Sequence, residues 1–273
     1  MNTGIVWFRK DLRLHDNPAL WEAAQQGAVI PVFIWSKEEM EEHLGEPSLW
    51  WLSRSLCSLQ QALQAKGLPL ILRSGSSLDE LMDIITYTKA NSVFFNESYE
   101  PAMANRDRLI IDELKLHGVN ARTFHANLLL NPYQLFNHQQ EPYKIFTAFW
   151  RRYLKEQIPF SASIPRKLQA PDYIVQTLNM EEMGLSPSPD LAHKLASYWV
   201  PGEKAAVQRW SEFSENELLA YKQGRDFPAQ EMVSRLSPHL SWGEISIKAI
   251  WHAVNQIYEQ SLEEGHGQIH EQL

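Results

Sequence analysis

The sequence predicts an α/β protein: a doubly wound, five-stranded parallel sheet followed by the beginning of an all-helical domain. Three observations predict it. Over residues 1–130, short β-branched or aromatic runs alternate with longer stretches of helical period, the pattern of repeated βαβ units. From 131 to 200, Pro132, Pro142, Pro159, Pro165, Pro171, Pro187 and Pro189 interrupt any regular period, as in an interdomain connector. From Pro201 onward the periodic segments are helical. The expected organisation is therefore an α/β domain at 1–130, a connector at 131–200 and a helical segment at 201–273.

Each element has its own warrant. Gly4-Ile5-Val6-Trp7-Phe8 reads as the first strand, and Asp16-Asn17-Pro18 starts a helix, with a capping side chain ahead of a proline at the first helical position. Ala28 to Trp35 is the second strand. Leu52, Leu56, Leu59 and Leu63 recur at i, i+4, i+7 and i+11, giving one apolar face to a helix over 47–66 that Gly67 stops. Leu68 to Leu72 resumes the sheet, Ser77 to Thr88 is helical, and Ser92 to Phe95 is the fourth strand. Pro101 to His117 forms a helix closed by Gly118, and Val119 to Phe124 is the fifth strand. Continuous apolar strands of this kind are expected to be buried on both faces.

Within the connector, Tyr143 to Trp150 begins a short aromatic helix expected to dock one domain on the other. Beyond it, Ala206, Trp210 and Phe213 share one helix face. Ser237-Pro238 opens a short helix stopped at Gly243, and Ser246 caps a helix carrying Ile247, Ile250, Val254 and Ile257. The closing residues from Ser261 to Leu273 are polar and glycine-broken. Helices with a single apolar stripe need a cover, supplied by the first domain, a partner or further chain.

Composition narrows the function. With 25 Lys and Arg against 33 Asp and Glu, the 273 residues carry a formal charge of -8. That weighs mildly against nucleic acid as a partner, although one cationic groove is compatible with an acidic remainder. A single cysteine, Cys57, allows neither an internal disulfide nor a metal-ligand cluster. The charged opening and the lack of a long apolar run predict a cytoplasmic chain with no membrane contact. Ten Trp is high usage, and most are expected in cores.

In a doubly wound sheet ligands bind beyond the carboxyl ends of the strands. Two segments leave such ends, Arg9 to Arg13 and Asn96 to Glu100. The first suits either a structural ion-pair network or a ligand contact. No glycine-rich phosphate loop is present. The other candidate is the run Ser234-Arg235-Leu236-Ser237 ahead of Pro238. Hydroxyls and free N–H groups at a helix start suit either a plain cap or a diphosphate, and Arg225 offers a further cation.

Trp7-Phe8-Arg9-Lys10-Asp11-Leu12-Arg13-Leu14-His15-Asp16-Asn17-Pro18-Ala19-Leu20 resembles the opening of the DNA photolyase and cryptochrome family. Further blocks follow in that family's order and spacing: Tyr143-Lys144-Ile145-Phe146-Thr147, Pro201-Gly202-Glu203, Arg225-Asp226-Phe227-Pro228-Ala229 and Ser234-Arg235-Leu236-Ser237-Pro238. The resemblance implies a Rossmann-like antenna domain followed by a helical domain that holds FAD. It implies a monomeric lyase, acting on DNA that contains pyrimidine dimers by light-driven electron transfer from reduced FAD to a flipped-out dimer. Tyr221 resembles the family's flavin-contacting tyrosine, Val233, Ser234, Arg235, Leu236 and Ser237 its diphosphate-contacting run, and Arg225 a DNA-phosphate contact.

There are departures. Where the family has Gly-Thr, this chain has Met232-Val233, so a hydroxyl is lost and only the Val233 backbone is left to contribute. Tyr99-Glu100 is followed by Pro101-Ala102-Met103 instead of Asn-Glu. That argues against a folate antenna and leaves a deazaflavin, FMN or an empty cleft open. The family's later flavin-pocket segments and its tryptophan relay have no counterpart in these residues, so an incomplete helical domain at 201–273, weak FAD binding or none, and an inactive fragment are expected. Two alternatives stand beside the repair enzyme: a cryptochrome-like photosensor acting through a protein partner, and a mononucleotide-binding interaction module.

Overall fold

A computed structural model describes residues 2–39, 44–185, 187–227 and 229–263. Pro228 and the tail from 264 onward lie outside the described residues. Five strands, β1 (Thr3–Phe8), β2 (Ala28–Trp35), β3 (Ile71–Ser74), β4 (Ser92–Asn96) and β5 (Asn120–Phe124), form one parallel sheet in the order β3-β2-β1-β4-β5. The order reverses between β1 and β4, which is where such a sheet opens a crevice.

Helices α1 (Pro18–Gln26) and α2 (Glu46–Gln64) cover one face; α3 (Ser77–Thr88) and α4 (Pro101–Leu116) cover the other. The local signals act as expected. The Asn17 side chain accepts the Leu20 N–H at 3.1 Å to cap α1, and Ser76 caps α3. Trp50, Leu52, Leu56, Leu59 and Leu63 of α2 are buried in the first core with Val6, Phe8 and Phe94. Leu81, Ile84, Ile110 and Leu114 bury against Ile5, Trp7 and Phe95 in the second.

Three expectations need correction. The third strand begins at Ile71, not Leu68. Leu68 and Leu70 are buried as the loop into it. Burial on both faces holds for β1, β2 and β4. β5, with the sequence NARTF, is an edge strand whose Asn120 is exposed and whose other residues are half-buried, because no further strand pairs with it among the described residues. The connector is also more than an irregular link. It contains α5 (Phe146–Tyr153) and α6 (Pro189–Ala196), and it straps both faces of the sheet. Met183 and Leu185 join the first core and Val175 the second. Its backbone is tied down where the Val29 N–H donates to Gln169 O at 2.8 Å and the Leu178 N–H to Leu72 O at 2.9 Å.

Among the described residues four α-helices follow: α7 (Glu203–Asn216), α8 (Tyr221–Gly224), α9 (Ser237–Ser241) and α10 (Ile247–Glu263). Ala206 and Phe213 of α7 are buried, whereas Trp210 is only half-buried. Ser246 Oγ accepts the Ala249 N–H at 3.2 Å, capping α10. Aromatic helix α5 lies between α10 and the residues that follow β5, lining a cavity with Asn127 to Leu130 and Ile247. Its Trp150 and Tyr153 rings meet Trp251 of α10 at 6.3 and 6.5 Å, and none of its residues is buried. Ile247, Ile250 and Val254 line an open groove of about 250 Å³ with Trp150, Leu154 and Trp251.

Candidate cofactor and DNA site

The segment leaving β1 joins the helices to the sheet. Arg13 is almost wholly buried. Its Nη1 donates to Gly243 O at 2.9 Å, its Nη2 to Asp16 O at 2.9 Å and its Nε to His15 O at 3.0 Å. Burial pushes its guanidinium below the ordinary range, while Asp11, Asp16 and Glu203 pull it back. Arg9 pairs with Asp107 and donates to Asn96 O. Asp11 accepts the Arg9 N–H and, at 2.5 Å, the Asn96 amide, which also donates to Asn17 Oδ1 at 3.0 Å. Arg9, Asp11 and Asn96 thus tie the switch point together with the protein's own side chains. Of the two readings of Arg9 to Arg13, the ion-pair and hydrogen-bond network is the one these contacts build.

The opposite side of this joint comes from residues whose part in it the sequence did not mark. The Glu203 carboxylate accepts the Leu14 N–H on Oε2 and the His15 N–H on Oε1, both at 2.8 Å. Gly243 has φ +63°, and a Cβ there would meet Lys10 O at 2.1 Å, so only glycine allows the chain to pass. Behind it, wholly buried Glu244 binds His239 Nδ1 at 2.5 Å and the Trp51 indole N–H at 3.0 Å. Glu203 ends the quoted Pro201-Gly202-Glu203 block, and Gly243 was marked in the sequence only as a helix stop.

The serine run stands on this platform. Residues Val233 to Ser237 line an open cleft of about 530 Å³ with Tyr198 and Trp199. Trp199 in turn packs on Trp51 at 5.5 Å between ring centroids. Arg235 has φ +54°, a left-handed backbone unusual for a residue with a side chain. The Leu236 N–H donates to Ser234 Oγ at 3.4 Å, and the Leu236 side chain is buried. Leu236 therefore braces the turn from within. The N–H groups of Ser234, Arg235 and Ser237 have no acceptor among the described residues.

Tyr221 and Arg225 do not share this cleft. The Tyr221 ring packs edge-on against Phe213 at 5.9 Å, with the Arg225 guanidinium 5.9 Å from its centroid. Arg225 is exposed, and its nearest carboxylate is Asp226 at 3.7 Å.

A second cleft lies at the carboxyl ends of β1 and β2, lined by Trp7, Arg9, Trp35, Met103, Arg106 and Trp242. Its volume is about 80 Å³, against the roughly 300 Å³ or more of a typical ligand pocket. Arg9 and Arg106 sit 4.8 and 5.0 Å from the Trp7 ring centroid, and Arg106 is held by Glu39 at 3.2 Å and Asp107 at 2.7 Å.

Behind β5, Tyr99 donates its hydroxyl to Glu97 at 2.9 Å and meets His125 Nδ1. Burial and the Glu97 carboxylate raise the phenol well above its ordinary range. Burial first, then Lys248, lowers the His125 imidazole. Lys248 is itself lowered by burial. No helix among the described residues is long and apolar enough to cross a membrane.

Comparison with known proteins points to the DNA photolyase family. The model of the DNA photolyase family matches residues 4–171. The deoxyribodipyrimidine photo-lyase of Agrobacterium fabrum is 39% identical over 91% of this chain and 52% of its own length. Cryptochrome-1 of Arabidopsis thaliana is 36% identical over 92% of this chain and 37% of its own. The crystal structure of a class III photolyase from Agrobacterium tumefaciens superposes with a TM-score of 0.89 at 38% identity, covering 93% of this chain and 53% of that one. The chain thus spans about half the length of the Agrobacterium photolyase it matches.

Proposed function

This chain belongs to the DNA photolyase and cryptochrome family, and from that premise we propose that it takes part in light-driven repair of cyclobutane pyrimidine dimers in DNA, using FAD. The observation that carries the proposal is the Val233–Ser237 turn. The N–H groups of Ser234, Arg235 and Ser237 have no acceptor among the described residues, and these three residues line an open cleft. Oriented N–H donors with no acceptor of their own are the chemistry a pyrophosphate requires. Ser234, Arg235 and Ser237 would hold the pyrophosphate through their backbones, and Leu236 and Val233 would shape the turn. When bound, the flavin supplies the photoexcited electron that opens the cyclobutane ring.

The chain's own residues orient and exclude. Glu203, Arg13 and Gly243 fix the helical segment against the sheet, so the turn is held on a rigid base. Exposed Arg225 is available for a DNA phosphate, and Tyr221 beneath it for the flavin. Such an assembly divides into an antenna domain at 1–130, a connector at 131–200 and the helical segment from 201. The end of β5 at Phe124 and the start of α7 at Glu203 support that division. The narrow cleft over Trp7 gives no support to a bound antenna.

A second reading, a photosensor that signals through a protein partner, is favoured by the 36% identity to a plant cryptochrome. One experiment separates the two. The chain is joined to the carboxyl-terminal half of the Agrobacterium photolyase, loaded with FAD, reduced with dithionite, and illuminated with thymine-dimer DNA. Light-dependent loss of dimers supports repair. Flavin retention without dimer loss supports the photosensor, and failure to retain flavin contradicts both.

A further inference from the structure

We propose that Arg209 is a positioning residue that aims the Ser234 and Arg235 N–H groups into their cleft; the inference rests on reading that turn as the pyrophosphate seat. Arg209 lies on α7. Its Nη2 donates to Val233 O at 2.9 Å and its Nε to Ser234 O at 3.0 Å. The same Nη2 donates to Glu217 at 2.8 Å, and Glu212 lies 3.7 Å from Nη1, so the guanidinium is fixed from its own helix.

The geometry of the peptide unit supplies the next step. A trans peptide is planar, and its C=O and N–H point in opposite directions. Holding Val233 O therefore sets the direction of the Ser234 N–H, and holding Ser234 O sets that of the Arg235 N–H. Both are turned away from Arg209, and both are among the groups with no acceptor. One planar guanidinium thereby orients two successive donors, which a point-charge ammonium is poorly shaped to do. It also helps to hold Arg235 at φ +54°, a conformation the residue disfavours on its own.

The test uses the full 273-residue chain and the variants Arg209→Lys and Arg209→Gln. Amide 15N relaxation reads the order of Ser234 and Arg235, and calorimetric titration with inorganic pyrophosphate reads the seat. Melting temperature reports global folding. The expected result is loss of order confined to the turn in both variants, with pyrophosphate affinity lower by about ten-fold, the equivalent of one or two hydrogen bonds. Should Arg209→Gln fail to fold, Arg209→Lys, which keeps the charge and the aliphatic stem, decides alone. Unchanged order at Ser234 and Arg235 overturns the inference, as does loosening of the turn with unchanged affinity. A wild-type chain that ignores pyrophosphate overturns the seat itself, while a variant-dependent turn would still show Arg209 setting its direction.

Discussion

Replacing Glu203 with alanine removes both acceptors for the Leu14 and His15 N–H groups, each bonded at 2.8 Å. Hydrogen bonds to a charged group contribute roughly 1.5–3 kcal/mol each. Two of them give about 3–6 kcal/mol, and because Glu203 is only half-buried and water can partly replace it, the lower end of about 3 kcal/mol is expected. Glu203→Gln keeps one acceptor and turns an NH2 toward the other donor, so it should lose at least half as much. Urea unfolding of the full chain, with midpoint and slope fitted separately, measures both. A loss under about 1 kcal/mol for Glu203→Ala would refute the claim that this carboxylate fastens α7 to the segment after β1.

Two further outcomes follow from the same structure. Gly243→Ala should cost more than the about 1 kcal/mol of a left-handed backbone alone. The new Cβ would collide with Lys10 O and displace the Leu12 N–H bond to Trp242 O at 3.1 Å; urea unfolding reads the loss, and near-neutral behaviour would argue against the packing described. Because His125 is held below its ordinary 6.5 in the folded chain, the unfolded chain takes up the proton first. Stability should be complete above about pH 6.5 and fall as pH drops from there toward the lowered folded value. In thermal scans His125→Asn should flatten that part of the profile, and an unaltered profile would count against the shift.

Much of the fold was legible because its signals are local. Asn17 before Pro18 and the Leu52 to Leu63 spacing state a helix start and a buried face without reference to the rest of the chain. The polar fifth strand was found by position, yet its partial exposure was not, since an edge is a property of the whole sheet. The connector's role was hidden for another reason. Met183, Leu185 and Val175 are single apolar residues with no period, and only the finished fold shows them filling gaps on the two faces.

The candidate site divides the same way. Ser234 to Ser237 stood out in the sequence as hydroxyls at a helix start and through a resemblance, but the direction inferred for their N–H groups depends on Arg209, 25 residues away from Ser234, which no local pattern marks. Arg9 to Arg13 illustrates the converse. Charges clustered after a strand look like a ligand site, and here they are consumed by Asp107, Asn96, Asp16 and Gly243.

The central claim, that the turn at Val233–Ser237 seats the pyrophosphate of FAD, is tested most directly by following backbone amide resonances of the full chain during titration with FAD. The account predicts the largest shifts at Ser234, Arg235 and Ser237. Binding of FAD that leaves those three amides unmoved, or that shifts the residues around Trp7 and Arg106 instead, would contradict it.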